Sequence, residues 1–271
     1  MVEGIIRESG ECRFHAPDPI HPEEHLLIEL EPGTVTLVGG GPGDPGLLTL
    51  AGAAALQAAD IVLTDHLAPD TTGLVGPATE VVNVGKTPFG PATPQERINE
   101  LLVEHAQGGR RVVRLKGGDS FVFGRGGEEW QACAAAGVTV RVIPGVTSAV
   151  AAPELAGIPV THRSLTQGFT VVSGHVAPGD PRSQLDWAAL AHTRTTLVIL
   201  MGVTHLAAIV GALVAAGLDA ETPAAIITKA STPDAHVVRG TVGTIADLSV
   251  TAGVRPPSIT VIGAVAGLEL A

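Results

Sequence analysis

The sequence contains no tyrosine, and its five phenylalanines and two tryptophans bring the aromatic share to only 3% of 271 residues. Stacking platforms for the bases of single-stranded nucleic acid are therefore not available in number. Positive charge is also scarce: 16 lysines and arginines stand against 27 aspartates and glutamates, a formal net charge of -11. Phosphate-backbone binding rests on basic surface, so this balance argues against nucleic acid as a partner. The two cysteines, Cys12 and Cys133, lie far apart without C-x-x-C spacing and indicate neither a zinc site nor a disulfide framework. Cys133 reads as core filler. No uninterrupted apolar run is long enough to span a bilayer, 207–218 being the best candidate and too short, and MVEGIIRESGECR lacks an apolar segment of signal-peptide length. A cytoplasmic protein with no membrane partner is expected.

With 45% hydrophobic residues the chain has ample material for a core, enough for one large domain or two modest ones. Residues 1–33 carry charge, histidine and proline without sustained periodicity and read as a partly flexible extension. Within them HPEEH, residues 21–25, suggests a metal pair, but Pro22 and the missing glutamate after His21 favour a solvated tail. From Thr34 short β-rich runs alternate with helical stretches. Strands are expected near 34–38, 61–64, 80–84, 111–115 and 139–143, with helices near 46–59, 94–107 and 126–136. A segment rich in Pro, Gly and Ala, 144–162, connects to a second series: strands near 169–173, 196–200, 224–228, 236–242 and 258–262, helices near 204–216 and 243–249. The expected class is α/β: two lobes, 34–143 and 163–271, with a ligand cleft between them.

GPGDPG, residues 41–46, follows a strand, precedes a helix and has an acid, Asp65, some 20 residues downstream. That matches the dinucleotide-binding template. Its own chemistry argues otherwise. Pro42 and Pro45 remove N–H donors that a pyrophosphate needs, and Asp44 before Pro45 reads as a helix N-cap, putting a carboxylate where the phosphate would sit. A cationic or zwitterionic small molecule suits this loop better. Loops after strands are expected to line the cleft: Gly39–Asp44, Asp65–Leu67, Gly85–Lys86, Lys116–Asp119, Pro144–Ser148, Met201–Gly202 and Lys229–Thr232. Seven of the 16 basic residues, Lys86, Arg97, Arg110, Arg111, Arg114, Lys116 and Arg125, crowd into one stretch. Either they hold an acidic substrate or they form a solvated face.

The ordered set GGGPGDPGLLTL, TDHLAP, VGK, TPQERINELL, VVRLKGGDSFVFGRGGEE, VIPGVTSAVAAPELAGIPVTHR, VVSGH and MGV resembles the tetrapyrrole (corrin/porphyrin) methylase family, on its uroporphyrinogen-III C-methyltransferase branch. The likeness runs from about Val35 to the C-terminus. It implies that the GPGDP loop serves S-adenosylmethionine through a fold unlike the common methyltransferase domain. Carried over position by position, it implies donor contacts at Pro42, Gly117, Gly118, Asp119, Val122, Thr147, Ser148, Met201, Ala230 and Ser258. It makes Asp65 a proton acceptor and Lys86 a proton donor, and sets Arg125 and Arg163 against the substrate's acetate and propionate groups. The implied reaction methylates uroporphyrinogen III at carbons 2 and 7, by way of precorrin-1, to precorrin-2 and S-adenosylhomocysteine. No metal is implied, a homodimer is, and residues 1–33 are too short for the dehydrogenase and ferrochelatase module of some relatives.

The chain departs from the family pattern at several places. Ser120 stands for a usual proline, Gly40 for an alanine, His66 for an arginine, Thr87–Gly90 for a different run after Lys86, and Ala230 for a frequent glycine. Three other readings compete: a methylase acting on a later cobalamin-pathway tetrapyrrole, an NAD-dependent oxidoreductase, and a non-catalytic binder.

Overall fold

A computed structural model describes residues 4–6, 12–14, 29–85 and 93–270. Strands β1 (Gly4–Ile6) and β2 (Cys12–Phe14) pair as an antiparallel ribbon. HPEEH and Lys86 lie outside the described residues.

The first lobe runs through β3 (Thr34–Gly39), α1 (Leu50–Ala58), β4 (Ile61–Thr64), β5 (Glu80–Asn83), α2 (Gln95–Gln107), β6 (Val112–Lys116), α3 (Gly126–Ala135) and β7 (Thr139–Ile143). Its five strands form one parallel sheet in the order β5-β4-β6-β3-β7. Parallel strands covered on both faces read as continuous apolar runs, and TVTLVG and IVLT are buried throughout. On one face Val35, Leu37, Ile61, Leu63 and Val112 pack against Ile98, Leu102 and Ala106 of α2 and Cys133 of α3. On the other, Val38, Val62, Val113 and Leu115 meet Ala55 and Leu56 of α1, with Leu30 in the same cluster. Arg141 of β7 bonds the carbonyl of Glu29 and the carboxylate of Glu31, so residues 29–31 also dock on this lobe.

Helix α1 starts later than the apolar pattern suggested. Asp44 caps a short 3-10 turn, Pro45–Leu47, and only then does Thr49 cap α1 itself by accepting from Gly52 N at 3.0 Å. Helix α2 shows why its sequence is amphipathic: Ile98, Leu102 and Ala106, four apart, face inward, while Arg97 reaches Glu100 and Glu104 outside.

The amino ends of β4 and β6 are tied by Asp60, which accepts from Arg111 N at 2.8 Å and from Arg111 Nε at 3.1 Å. These bonds hold the Asp60 carboxyl down to about 2, below its ordinary 3.8. Because the folded-state value is depressed, the contribution is complete above about pH 4 and is lost as pH falls through about 2. Asp60→Asn is expected to lower stability at pH 7 by about 1 kcal/mol, the solvent-screened share of that shift. The gap to the parent should close as urea unfolding is repeated toward pH 2; a gap independent of pH would refute the assignment.

The second lobe comprises α4 (Ser148–Leu155), β8 (Phe169–Ser173), α5 (Trp187–Ala191), β9 (Thr196–Leu200), α6 (Leu206–Ala215), β10 (Pro223–Thr228), β11 (His236–Thr241), α7 (Ile245–Thr251) and β12 (Ser258–Ile262). Its sheet, β11-β10-β12-β9-β8, is mixed: β8 and β9 are parallel, whereas β12 runs antiparallel to both β9 and β10. Leu197, Ile199, Ala224, Ile226 and Ile262 pack on α5, α6 and α7. Val198, Ala225, Ile227 and Val261 pack on Ala149 and Ala152 of α4. The segment 144–162 thus contains a helix, α4, that is fastened to the second sheet. None of the described helices is long and apolar enough to cross a membrane.

Candidate active site

An all-parallel sheet puts the carboxyl ends of its strands on one side, and that is where the first lobe gathers the expected residues. Gly39–Asp44 follows β3, Asp65 follows β4, Gly117–Asp119 follows β6 and Pro144–Thr147 follows β7. From the second lobe, Met201 follows β9 and Ala230 follows β10, and Ser258 opens the antiparallel β12 at that same end.

Three backbones meet there at a distance only glycine allows. A Cβ built on Gly145 would stand 2.4 Å from Gly118 O and 2.5 Å from Gly39 C, and one on Gly39 would stand 2.4 Å from Gly145 N. Gly41 and Gly118 exchange backbone hydrogen bonds of 3.1 and 2.6 Å, joining the loops after β3 and β6. Asp119 completes the clamp: Oδ1 accepts from Phe121 N at 2.8 Å and Oδ2 from Gly145 N at 3.0 Å. The aspartate expected to meet a ligand therefore also fixes the β7 loop, leaving each oxygen one free lone pair. Val122 lies in the turn that Asp119 begins, its N–H 3.4 Å from the Asp119 carbonyl. Thr147 caps α4 by accepting from Ala149 N at 3.3 Å, and Ser148 is the first residue of that helix.

The GPGDP loop behaves as its chemistry suggested. Asp44 Oδ1 accepts from Gly46 N at 2.7 Å, so a carboxylate occupies the turn's amino end and the dinucleotide reading loses its phosphate site. Pro42 lies half-buried beside it. Asp44 N donates to Ser231 Oγ at 2.9 Å, linking this loop to the one after β10. Met201 is 49% exposed at φ 57°, a conformation that turns the chain sharply at the end of β9. Ser258 is buried, and its hydroxyl donates to Arg255 O at 2.6 Å. It therefore braces the loop before β12 from the same end of the sheet.

The described members of the basic stretch divide between a solvated face and the interior. Arg97 pairs with Glu100 and Glu104, Arg110 with Glu80, Arg111 with Asp60 and Arg125 with Glu128. Arg114 and Lys116 are only 3% and 4% exposed, with the fully buried Glu129 between them. Each described cation of the stretch thus already has a carboxylate partner. Burial, together with the neighbouring Arg114, pushes the Lys116 ammonium below its ordinary range. Glu129 escaped the sequence reading, although a signal existed: Gly126, Glu129 and Cys133 form the buried stripe of α3 at helical spacing, so a glutamate stands where an apolar residue was due.

Asp65 is 22% exposed, its Oδ1 accepting from Leu67 N at 3.0 Å and its Oδ2 from Arg114 Nη2 at 3.2 Å. Arg125 extends from the rim of the Gly117–Gly127 loop at φ 60°, where Phe121 and Trp130 pack with ring centroids 6.3 Å apart. Arg163 is not brought to this group. It precedes β8 and borders a polar depression of about 470 Å³ with Arg194, Thr193 and Thr195, next to the amino ends of β8 and β9. His175 sits after β8, within 2.8 Å of Ser173 Oγ. Among the described residues no three His, Cys, Asp or Glu side chains cluster as metal ligands.

Ser120 lies fully buried in the same loop, its hydroxyl without a hydrogen-bond partner. Ser120→Ala removes that orphan group and is expected to stabilise the fold by about 1 kcal/mol. A lower melting temperature for the variant would show that the hydroxyl is bonded after all.

Comparison with known proteins agrees with this geometry. The model of the tetrapyrrole (corrin/porphyrin) methylases matches residues 34–246. Siroheme synthase 1 of Yersinia pseudotuberculosis is 49% identical over 255 residues, which cover 91% of this chain and 53% of that protein. The chain thus spans about half the length of the siroheme synthases it matches. The uroporphyrin III C-methyl transferase of Thermus thermophilus is 40% identical and superposes with a TM-score of 0.72 over 86% of this chain and 92% of that one. A structure of the Thermus enzyme complexed with S-adenosylhomocysteine matches equally well, at a TM-score of 0.72. A cobalt precorrin-4 methyltransferase gives a TM-score of 0.77 at 27% identity, over 87% and 97% of the two chains. With its parallel sheet, its glycine-lined loop junction and its matched span of 34–246, the chain belongs to the tetrapyrrole methylase family.

Proposed function

We propose that the chain is an S-adenosylmethionine-dependent C-methyltransferase that converts uroporphyrinogen III, through precorrin-1, to precorrin-2 by methylating carbons 2 and 7. One observation carries the reading: in a member of this family, the glycine junction Gly39–Gly118–Gly145 and an anchored carboxylate, Asp65, share one end of the parallel sheet.

The donor supplies an activated methyl: its sulfur–carbon bond breaks as a ring carbon bonds the methyl, and the sulfur leaves as the neutral thioether of S-adenosylhomocysteine. Little remains for the protein except alignment and removal of a proton. Pro42, the backbone of Gly117 and Gly118, Asp119, Val122, Thr147 and Ser148 form the first lobe's wall of the donor site; Met201, Ala230 and Ser258 form the second lobe's. Glycine backbone lets a flat nucleoside approach closely, and the free lone pairs of Asp119 suit hydroxyl or ammonium donors. Asp65 accepts the proton that the alkylated ring must lose, and Lys86 acts as its acidic counterpart. Arg125 meets a substrate carboxylate from the rim by exchanging its exposed partner Glu128; Arg163, at the amino ends of β8 and β9, is left out of this site. The protein works as a homodimer, which sedimentation equilibrium would check.

A second reading has one observation in its favour. The backbone lies nearer to the cobalt precorrin-4 methyltransferase, at a TM-score of 0.77 against 0.72, and that would suit a later cobalamin-pathway tetrapyrrole. Side chains rather than backbone choose the substrate, and there 40% identity outweighs 27%. Anaerobic incubation with S-adenosylmethionine and enzymatically generated uroporphyrinogen III, followed by mass spectrometry, is expected to show a gain of two methyl masses. No gain in a protein that still binds S-adenosylhomocysteine would exclude uroporphyrinogen III and favour the later substrate.

A further inference from the structure

Beneath Asp65 lies a charged group that water hardly reaches. Arg114 and Lys116 stand two residues apart on β6, on the face covered by α2 and α3, and Glu129 of α3 is fully buried between them. Glu129 Oε1 accepts from Arg114 Nε at 3.1 Å, Lys116 Nζ at 2.8 Å and Gln95 Nε2 at 3.2 Å. Arg114 spends its other donors on the neighbouring strand end. Nη1 reaches the carbonyls of Leu115 at 2.8 Å and Leu63 at 3.3 Å, and Nη2 reaches Asp65 Oδ2 at 3.2 Å. One guanidinium thus grips the backbone of β4 and the side chain that follows it.

This is a poor way to stabilise a core. Replacing a buried ion group by apolar residues of similar volume is often neutral or favourable, and Glu129 Oε2 is left with no partner at all. Lysine in place of arginine would bring a point charge but could not hold Glu129 and Asp65 in one plane. What the group does achieve is direction, since both oxygens of Asp65 are fixed, by Arg114 and by Leu67 N, and only its remaining lone pairs are left to the cleft.

We infer that Arg114, braced by Glu129, is a positioning residue for methyl transfer, acting through Asp65 and not on the substrate. The inference rests on the reading of Asp65 as proton acceptor. Arg114 keeps the carboxylate in the one orientation that meets the ring proton, and Glu129 keeps the guanidinium from rotating toward either carbonyl alone.

The test is a double-mutant cycle on the full chain, using Arg114→Met, Arg114→Lys, Glu129→Gln, Asp65→Asn and the Arg114/Asp65 double variants. Methyl transfer is followed by mass spectrometry, S-adenosylhomocysteine binding by calorimetry and folding by thermal melting. Arg114→Met is expected to lower kcat by roughly 100-fold, with KM and S-adenosylhomocysteine affinity changed less than about threefold. In the Asp65→Asn background the same substitution should change kcat by less than about twofold, because its route is already cut. Arg114→Lys keeps charge and bulk and covers the case in which Arg114→Met does not fold; it should still lose about tenfold in kcat. Glu129→Gln retains the accepting oxygen and should lose less than either. If the Arg114 and Asp65 effects multiply in full, or if KM and binding move while kcat holds, the inference is overturned. A fully active Asp65→Asn overturns the reading of Asp65 as well, and that single variant tells the two failures apart.

Discussion

Gly145→Ala should disable the protein at its donor site, lowering kcat/KM for methyl transfer by about 100-fold and stability by on the order of 3 kcal/mol. The new methyl would lie 2.4 Å from Gly118 O, 2.5 Å from Gly39 C and 2.6 Å from Gly39 Cα. All three are backbone atoms, so no side chain can rotate aside. Relief requires the loop after β7 to move away from those after β3 and β6, which breaks the 3.0 Å bond from Gly145 N to Asp119. A shift of that kind loosens three walls of the proposed donor site together. Gly211→Ala is the control. Gly211 lies inside α6 with open space where its Cβ would be, and the change should be neutral or stabilising by up to about 1 kcal/mol. Calorimetry with S-adenosylhomocysteine separates the two, and unaltered binding in Gly145→Ala would remove the glycine junction from the donor site.

Asp65→Asn is the second large effect expected, a fall in kcat of roughly 100- to 10,000-fold with donor affinity retained. The amide keeps an oxygen for Leu67 N or for Arg114 but cannot take up a proton in neutral solution. Its shape is that of the parent, but its nitrogen can accept from neither Leu67 N nor Arg114, so one of those bonds is lost and thermal melting is recorded beside kcat to separate the fold from the proton step. The product distribution sharpens the measurement. If Asp65 takes the proton after each transfer, one-methyl and two-methyl products should fall together under single-turnover conditions. A variant with parental kcat would return Asp65 to the role of a turn residue, holding Leu67 N at 3.0 Å.

Much of the architecture could be read from the chain because its strands are apolar runs separated by glycine and proline. TVTLVG, IVLT and SITVI are buried along their whole length, as short β-branched runs without charge should be when both faces are covered. Helix α4 was harder to see, since Pro153 lies inside it and its alanines give little amphipathic contrast. Helix α5 is a single short turn of WAALA, below the length at which periodicity carries information. The antiparallel course of β12 could not be read from composition, because its pattern suits either direction equally well.

The loop after β6 was conspicuous in the sequence, five glycines with an aspartate and an arginine between residues 117 and 127. What remained hidden was pairing. RLK in β6 read as charge turned to a substrate or to solvent, yet Arg114 and Lys116 sit on the covered face and find Glu129 on α3. Alternation along a strand tells which residues share a face, but which face is inside depends on helices packed from elsewhere. Asp119 shows the converse, a residue expected to contact a ligand whose two oxygens hold backbone N–H groups of its own lobe.

Strand β3 has no sequence neighbour beside it. Its partners in the sheet are β6 and β7, both of which come later in the chain, while β4 and β5 pair with each other without it. On the ribosome, β3 therefore emerges with both edges open and stays so until β6 is synthesised, since parallel pairing waits for its crossover. The loop proposed to receive the methyl donor hangs from the end of β3, and its bridge to Gly118 cannot form before then. During that interval TVTLVG is an unpaired β-branched strand with Val35, Leu37 and Val38 uncovered, the kind of segment that chaperones shield and that aggregates when they do not.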